Sequence, residues 1–145
     1  AVGGACYPEC HPECAHLADD IDNLKKKVDA GVEFLTTQMF FDNQKYYDFV
    51  EKVRNLGIRI PIIPGIKPIT NPKQLVSIPR SFHCDLPEEL TNRMMSAKTK
   101  EEQFEVGVDW AVSQCRDLIK HGVPGLHFYT TSQARSVAAV VQKVF

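Results

Sequence analysis

Long apolar runs are missing from this 145-residue chain. None approaches the roughly 20 residues that a membrane-spanning helix needs. An excess of one charge is missing too: 17 Lys and Arg stand against 18 Asp and Glu, a formal net charge of −1. That balance argues against non-specific nucleic-acid binding and against an anionic membrane surface as partner. No G-x-G-x-x-G follows a strand-like run, which weakens a dinucleotide-binding doubly wound fold. The opening AVGGACYPE has neither the basic stretch nor the apolar core of a secretory leader. Five cysteines, three of them within nine positions, make a poor disulfide framework. A reducing, cytoplasmic setting is expected. The length suits a single domain. The chain starts without Met, in what reads as the end of a strand, so a piece of a longer protein is expected.

What is present is an alternation of strand and helix signals. Residues 2–7, VGGACY, read as a short buried strand ended by Pro8. Over 17–30, Leu17, Ile21, Leu24 and Val28 share one helical face, with Lys25, Lys26 and Lys27 suited to the C-terminal dipole and Gly31 as the stop. Residues 33–41 read as a second strand, and Asp42 as the N-cap of a helix over 43–56 that buries Tyr46, Phe49, Val50 and Val53. IPIIPGI, 60–66, is a third strand closed by a Pro64-Gly65 turn. Asn71-Pro72 starts a short helix over 72–78, Pro87 another over 87–95, and TKEE at 99–102 is a capping box for a long helix over 100–121. Residues 125–130, GLHFYT, form the fourth strand, and Ser132 caps a last helix.

Four strand–helix units in apolar strands predict an α/β fold with a parallel sheet covered by helices. That is half of a (β/α)8 TIM barrel, with an open doubly wound sheet as the competing architecture. In either, ligands gather at the C-terminal strand ends. The candidates there are Tyr7, Gln38, the Pro64-Gly65 turn and Tyr129-Thr130.

The stretch ACYPECHPECAH, 5–16, invites a metal reading, since Cys6, Cys10 and Cys14 with His11 or His16 offer enough donors for tetrahedral zinc. Four-residue spacing gathers side chains only on a helix, however, and Pro8 and Pro12 forbid a continuous one. The reading preferred is that Cys6 packs in a strand, Cys10 and Cys14 are loop residues, and no metal binds. A Pro-rich loop with Tyr and His at a strand end suits a flat conjugated ring instead.

With these strand ends aligned, the chain resembles the methylenetetrahydrofolate reductase family. The motifs are YPECHPE (7–13), LKKKVDAGVEFLTTQMFFD (24–42), PIIPGIKPITNPKQ (61–74) and GVPGLHFYT (122–130), in the family's order and at its spacings. The resemblance implies the last four strands of a flavin-binding barrel. It implies FAD as cofactor, reduced by NADH or NADPH, and transfer of hydride to 5,10-methylenetetrahydrofolate to give 5-methyltetrahydrofolate, in one-carbon metabolism and methionine synthesis. It also implies a homo-oligomer when full length.

Carried over by position, the resemblance makes Tyr7 and His11 contacts of FAD and puts Ala5 in the flavin pocket. Asp20, Asn23, Lys26 and Lys27 become further FAD contacts, and cations beside a diphosphate gain charge-assisted hydrogen bonds. Without the resemblance these four read as a solvated helix face. Gln38 matches the Gln that hydrogen-bonds the pterin, as an amide offering donor and acceptor together, and Gln74 matches a position near the folate's aminobenzoate. Three positions depart from the pattern: Met39 and Ile78 replace aromatics, and Gln133 replaces an Arg suited to the folate carboxylate. The family's general acid and the Asp near its flavin come from strands upstream of Ala1, so no catalytic residue is assigned. Glu9, Glu13 and Asp42 are carboxylates that nothing marks out. A non-catalytic half-barrel module, pairing with a copy of itself or with a separate half, is the alternative.

Overall fold

The computed structural model describes every residue except Pro12, Cys14, Ser132 and Gln133. The expectations for Cys14, for Ser132 as a cap and for Gln133 therefore lie outside the described residues. The order is β1 (Gly3–Cys6), α1 (Leu17–Asp29), β2 (Phe34–Met39), α2 (Asn43–Asn55), β3 (Ile62–Ile66), α3 (Gln74–Phe82), α4 (Glu88–Ser96), α5 (Lys100–Lys120), β4 (His127–Phe128) and α6 (Ala134–Val144).

Local signals place most helix ends. The Asp42 carboxylate accepts the Gln44 N–H at 2.9 Å and opens α2. Thr99 and Glu102 form the reciprocal capping box of α5. Past the ends of α1, α2 and α5, Gly31, Gly57 and Gly122 take left-handed φ values of 108°, 80° and 73°. The third helix differs from expectation: it starts at Gln74, two residues late, and runs through Pro79 to Phe82. Burial explains the extension, because Leu75, Ile78 and Phe82 share one face and pack together on one apolar cluster. That burial outweighs the hydrogen bond Pro79 removes.

All strand pairings are parallel, and the sheet order β1-β2-β3-β4 equals the chain order. Right-handed crossovers then carry successive helices to the same face. A doubly wound sheet needs a reversal of strand order, and the strands of the described residues show none. The core lies on that one face: Cys6, Leu35, Ile62 and Ile66 meet Leu24, Phe49, Val53, Val108, Cys115, Leu118 and Val140. Along β2 the burial alternates, with Leu35, Thr37 and Met39 buried and Phe34, Thr36 and Gln38 half-exposed. The opposite face, with Gly3, Ala5 and His127, is exposed. A second cluster of Met39, Phe41, Ile69, Ile78, Cys84, Leu90 and Met94 closes the C-terminal end of the sheet under α3 and α4.

The long helix α5 joins both clusters and pins the β2–α2 connection. Trp110 Nε1 donates to the Phe41 carbonyl at 3.0 Å and Gln114 Nε2 to the Phe40 carbonyl at 3.1 Å. Asp117 accepts from Asn43 Nδ2 at 2.8 Å and from the Tyr47 hydroxyl at 2.7 Å. The approach is close because residue 107 lacks a side chain: a Cβ there would fall on the Ile69 carbonyl. Gly107→Ala is therefore expected to destabilise the protein by about 3 kcal/mol, the upper range for overpacking, read as a lower urea midpoint. Gly125→Ala, where a Cβ meets nothing, serves as the control. Equal midpoints for the two variants would show that α5 does not sit so near Ile69.

Candidate functional site

The tip of β1 gathers most of the expected residues. Tyr7 and His11 meet edge to face, ring centroids 4.5 Å apart. The backbone makes this possible: Cys10 takes φ 88° and its N–H donates to the Tyr7 carbonyl at 3.3 Å, folding the loop back. The His11 N–H then donates to Asp20 Oδ2 at 2.7 Å, fixing the loop to the first turn of α1. Lys27, two turns further along the same face, reaches the Ala5 carbonyl at 3.3 Å. Ala5, Tyr7, Asp20 and Lys27 line one hollow with Cys6, Leu24 and Phe49. Lys26 bonds Asn23 Oδ1 at 3.2 Å; both lie on the exposed flank of α1 and line no part of that hollow. Burial, then Asp20, raises the Tyr7 phenol above its ordinary value, so it is an O–H donor at neutral pH.

Tyr7 also lines the neighbouring hollow, with Glu9, Gln38, Met39, Phe82, His83 and Cys84. The Tyr7 ring is thus shared between the cluster on α1 and Gln38 at the end of β2. Gln38 Oε1 accepts the Met39 N–H at 3.0 Å, and the amide's two N–H donors are not used in that bond. Each hollow encloses about 10 Å³, far below the roughly 300 Å³ at which small-molecule sites begin. Donors converge here without enclosing a space of that size. A hollow of about 410 Å³ lies elsewhere, between Asn43, Arg93, Trp110 and Asp117, and contains none of the expected residues.

The Pro64-Gly65 expectation needs correcting. These residues do not form a turn; they lie inside β3. A bulge between Thr36 and Met39 shifts the β2–β3 register there, and Gly65 gives the room that follows from it. The Gly65 N–H donates to Thr37 Oγ1 at 2.9 Å. Above it the Tyr129 ring crosses β3, and its hydroxyl donates to the Thr37 carbonyl at 2.8 Å. A Cβ at position 65 would meet the Thr37 carbonyl and stand 2.6 Å from Tyr129 Cε2. Gln74 differs in another way: its Oε1 accepts the Thr70 N–H at 2.7 Å, so it braces its own loop, and it lines neither hollow. Ile78 is buried in the second cluster.

Cys6 points into the core at 2% exposure, and burial pushes its thiol up to about 12. It is a packed strand residue, with no thiolate to offer. Among the described residues no group of three or more His, Cys, Asp or Glu stands close enough to hold a metal ion.

Two residues at this end of the sheet escaped sequence reasoning. Glu9 is nine-tenths buried beside Lys45, and its signal, a carboxylate between two prolines, is not distinctive. Lys67, just past β3, is 6% exposed and donates to Thr131 Oγ1 at 2.7 Å. A lysine directly after an apolar strand reads as its solvated end, and only the tertiary fold buries it.

An all-parallel sheet with a polar cluster at its C-terminal strand tips defines an α/β protein, of the class in which ligands gather at the strand ends. The family model for methylenetetrahydrofolate reductase matches residues 1–144, and the chain belongs to that family. Relatives include methylenetetrahydrofolate reductase (NADH) 1 of Arabidopsis thaliana, 35% identical over 97% of this chain and 25% of the relative. The 5,10-methylenetetrahydrofolate reductase of Salmonella typhimurium is 35% identical over 96% of this chain and 47% of its own length. The chain thus spans about a quarter of that plant relative and about half of that bacterial one. Among solved structures, a Clostridium thermocellum protein described as binding two copies of 5-methyl-5,6,7,8-tetrahydrofolic acid superposes with a TM-score of 0.62, covering 98% of this chain and 51% of its own. At 17% identity the likeness is one of fold.

Burial holds the Lys67 amine below its ordinary value. Between that lowered value and the ordinary 10.5 the unfolded chain keeps a proton the folded chain releases, so this group's cost is full at neutral pH and fades as pH rises. Lys67→Met is expected to gain about 1 kcal/mol at pH 7, shrinking toward zero near pH 10.5, followed by denaturation across that range. A gain that does not change with pH would mean that the amine is not desolvated.

Proposed function

We propose that the protein containing this chain is an FAD-dependent methylenetetrahydrofolate reductase, reducing 5,10-methylenetetrahydrofolate to 5-methyltetrahydrofolate with NADH or NADPH as donor. It would act in one-carbon metabolism and methionine synthesis, in the cytoplasm and as a homo-oligomer. The observation that carries the reading is the Tyr7 ring shared by two hollows, with Ala5, Asp20 and Lys27 around one and Gln38 on the other. Family membership supplies the chemistry that such an arrangement serves.

The donor set fits a flavin dinucleotide. Lys27 and Lys26 offer two ammonium groups on exposed turns of α1 for a diphosphate, and Asp20 and Asn23 beside them suit ribose hydroxyls. Tyr7 and His11 form an apolar wall with polar edges for a ring system, and the small Ala5 leaves room next to it. When bound, the flavin supplies the two-electron relay between nicotinamide and folate. Gln38 then donates its amide N–H to the pterin. Being neutral, it does not oppose positive charge on the folate's one-carbon unit. Gln74, turned to its own loop, is proposed only as a brace for the folate's aminobenzoate side.

The small hollows and the exposed second face of the sheet support a further part of the reading. This chain is the C-terminal half of a (β/α)8 barrel, whose interior is filled and whose general acid is supplied by four upstream units. By itself it would be inactive. One observation favours the alternative of a non-catalytic module: β1 and β4 are each paired on one side only among the described residues, and free edges of this kind pair readily with another chain.

The full-length protein is expected to purify yellow and to bleach on adding NADH; a folded, colourless protein that takes up no FAD would count against the reading. Gln38→Ala is expected to lower folate turnover by about a hundredfold, the loss of roughly two hydrogen bonds' worth of binding. NADH oxidation by an artificial acceptor should stay near wild type. Equal losses in both half-reactions would remove Gln38 from the folate side.

A further inference from the structure

A single carboxylate oxygen joins three segments of the ligand-bearing end. Glu9 Oε1 accepts the Asp85 N–H at 3.0 Å and lies 3.1 Å from Lys45 Nζ. Lys45 Nζ in turn reaches Asp85 Oδ2 at 2.7 Å. Glu9 belongs to the loop after β1, Lys45 to the first turn of α2 after β2, and Asp85 to the segment between α3 and α4 after β3. The three exposures differ in a telling way. The Glu9 side chain is 10% exposed, Lys45 37% and Asp85 81%, so Glu9 is the buried member about which the others close.

The far side of this contact is rigid. Cys84 is 3% exposed and packed in the second cluster, and His83 turns the chain there with φ 51°. The near side is the loop carrying Tyr7 and His11, tied to α1 through the His11 N–H and Asp20. Glu9 also shares a hollow with Tyr7, Gln38, His83 and Cys84. Other charged and titratable groups around the contact are Asp48, Lys52 and His83, which line the cavity on its outer side.

We propose that Glu9 is a positioning residue: it clamps the Tyr7–His11 loop to the Cys84–Asp85 segment and so sets the spacing between the flavin-facing loop and the Gln38 tip. The consequence for ligands rests on the functional reading above. The clamp itself rests on geometry. Removing the carboxylate takes from the Asp85 N–H and the Lys45 ammonium the acceptor they share; Lys45 keeps Asp85 Oδ2, but the tie from both to the loop is lost.

The test compares Glu9→Ala, Glu9→Gln and Lys45→Met in the full-length protein. Glutamine keeps an acceptor for the Asp85 N–H and loses only the charge facing Lys45; alanine loses both. Glu9→Ala is expected to weaken FAD binding, measured by flavin fluorescence, by about tenfold and to raise the folate KM more than it lowers kcat. Glu9→Gln and Lys45→Met should each cost about threefold. A Glu9→Ala protein with a lower Tm but wild-type FAD affinity and KM would overturn the proposal, as would equal losses for alanine and glutamine. If alanine fails to fold, the other two variants decide, since wild-type FAD affinity and KM in both would also overturn it. Wild-type protein that takes up no FAD sinks the functional reading instead. Hydrogen exchange then judges the clamp alone: faster exchange of the Asp85 amide in Glu9→Ala upholds it, and unchanged exchange there ends it.

Discussion

Thr37 is fully buried and uses both of its oxygens as acceptors, one for the Gly65 N–H and one for the Tyr129 hydroxyl. Three strands meet at this residue. The β2–β3 bulge begins beside it, and a phenol from beyond β4 crosses a glycine to reach it. In a parallel sheet the ladder bonds are evenly spaced and tolerate sliding better than a packed core does. A side-chain bond across two strand gaps removes that freedom at the tips. Gln38 is the next residue along β2, and Tyr7 stands across from it beyond the Cys6–Thr37 pairing. The relation between these two, on which the functional reading depends, is held by the bonds at Thr37 on one side and by Glu9 on the other.

The apolar structure is arranged around the same end. One cluster fills the space between the sheet and its helices, and the second lies over the C-terminal edge. The helix α5 contributes to both and carries Trp110, Gln114 and Asp117 to the start of α2. Its approach at Gly107 removes any gap between helix and strand extension, and close packing of this kind has little slack to absorb a displaced tip. By contrast, α1 presents its polar face to solvent at Asn23 and Lys26, whose side chains bond only each other among the hydrogen bonds above.

Much of this was legible in residue order. Apolar runs and periodicity located the strands and the longer helices, and Asn71-Pro72 and Pro87 the two short ones. Asp42, Thr99, Gly31, Gly57 and Gly122 marked helix ends through bonds and backbone angles made within a few residues. Within the opening cluster, Cys6 was readable as a packed strand residue. The errors share a cause. Pro64-Gly65 looked like a turn because those residues make turns when nothing else acts on them, whereas here Tyr129, 64 positions on, required the space. Helix α3 ran past its expected end because a distant cluster needed Ile78 and Phe82.

The sequence by itself determined the alternation of strand and helix, the caps, the neutral charge balance and the motifs that carry family membership, since each depends on neighbours a few residues away or on a pattern read in order. Tertiary structure decided which of those residues meet. The one-sided core, the path of Tyr129 over Gly65, the burial of Lys67 and the bond from Glu9 to Asp85 all join positions tens of residues apart. Their energies come from desolvation and from shared hydrogen bonds, and neither exists until the chain has closed around them.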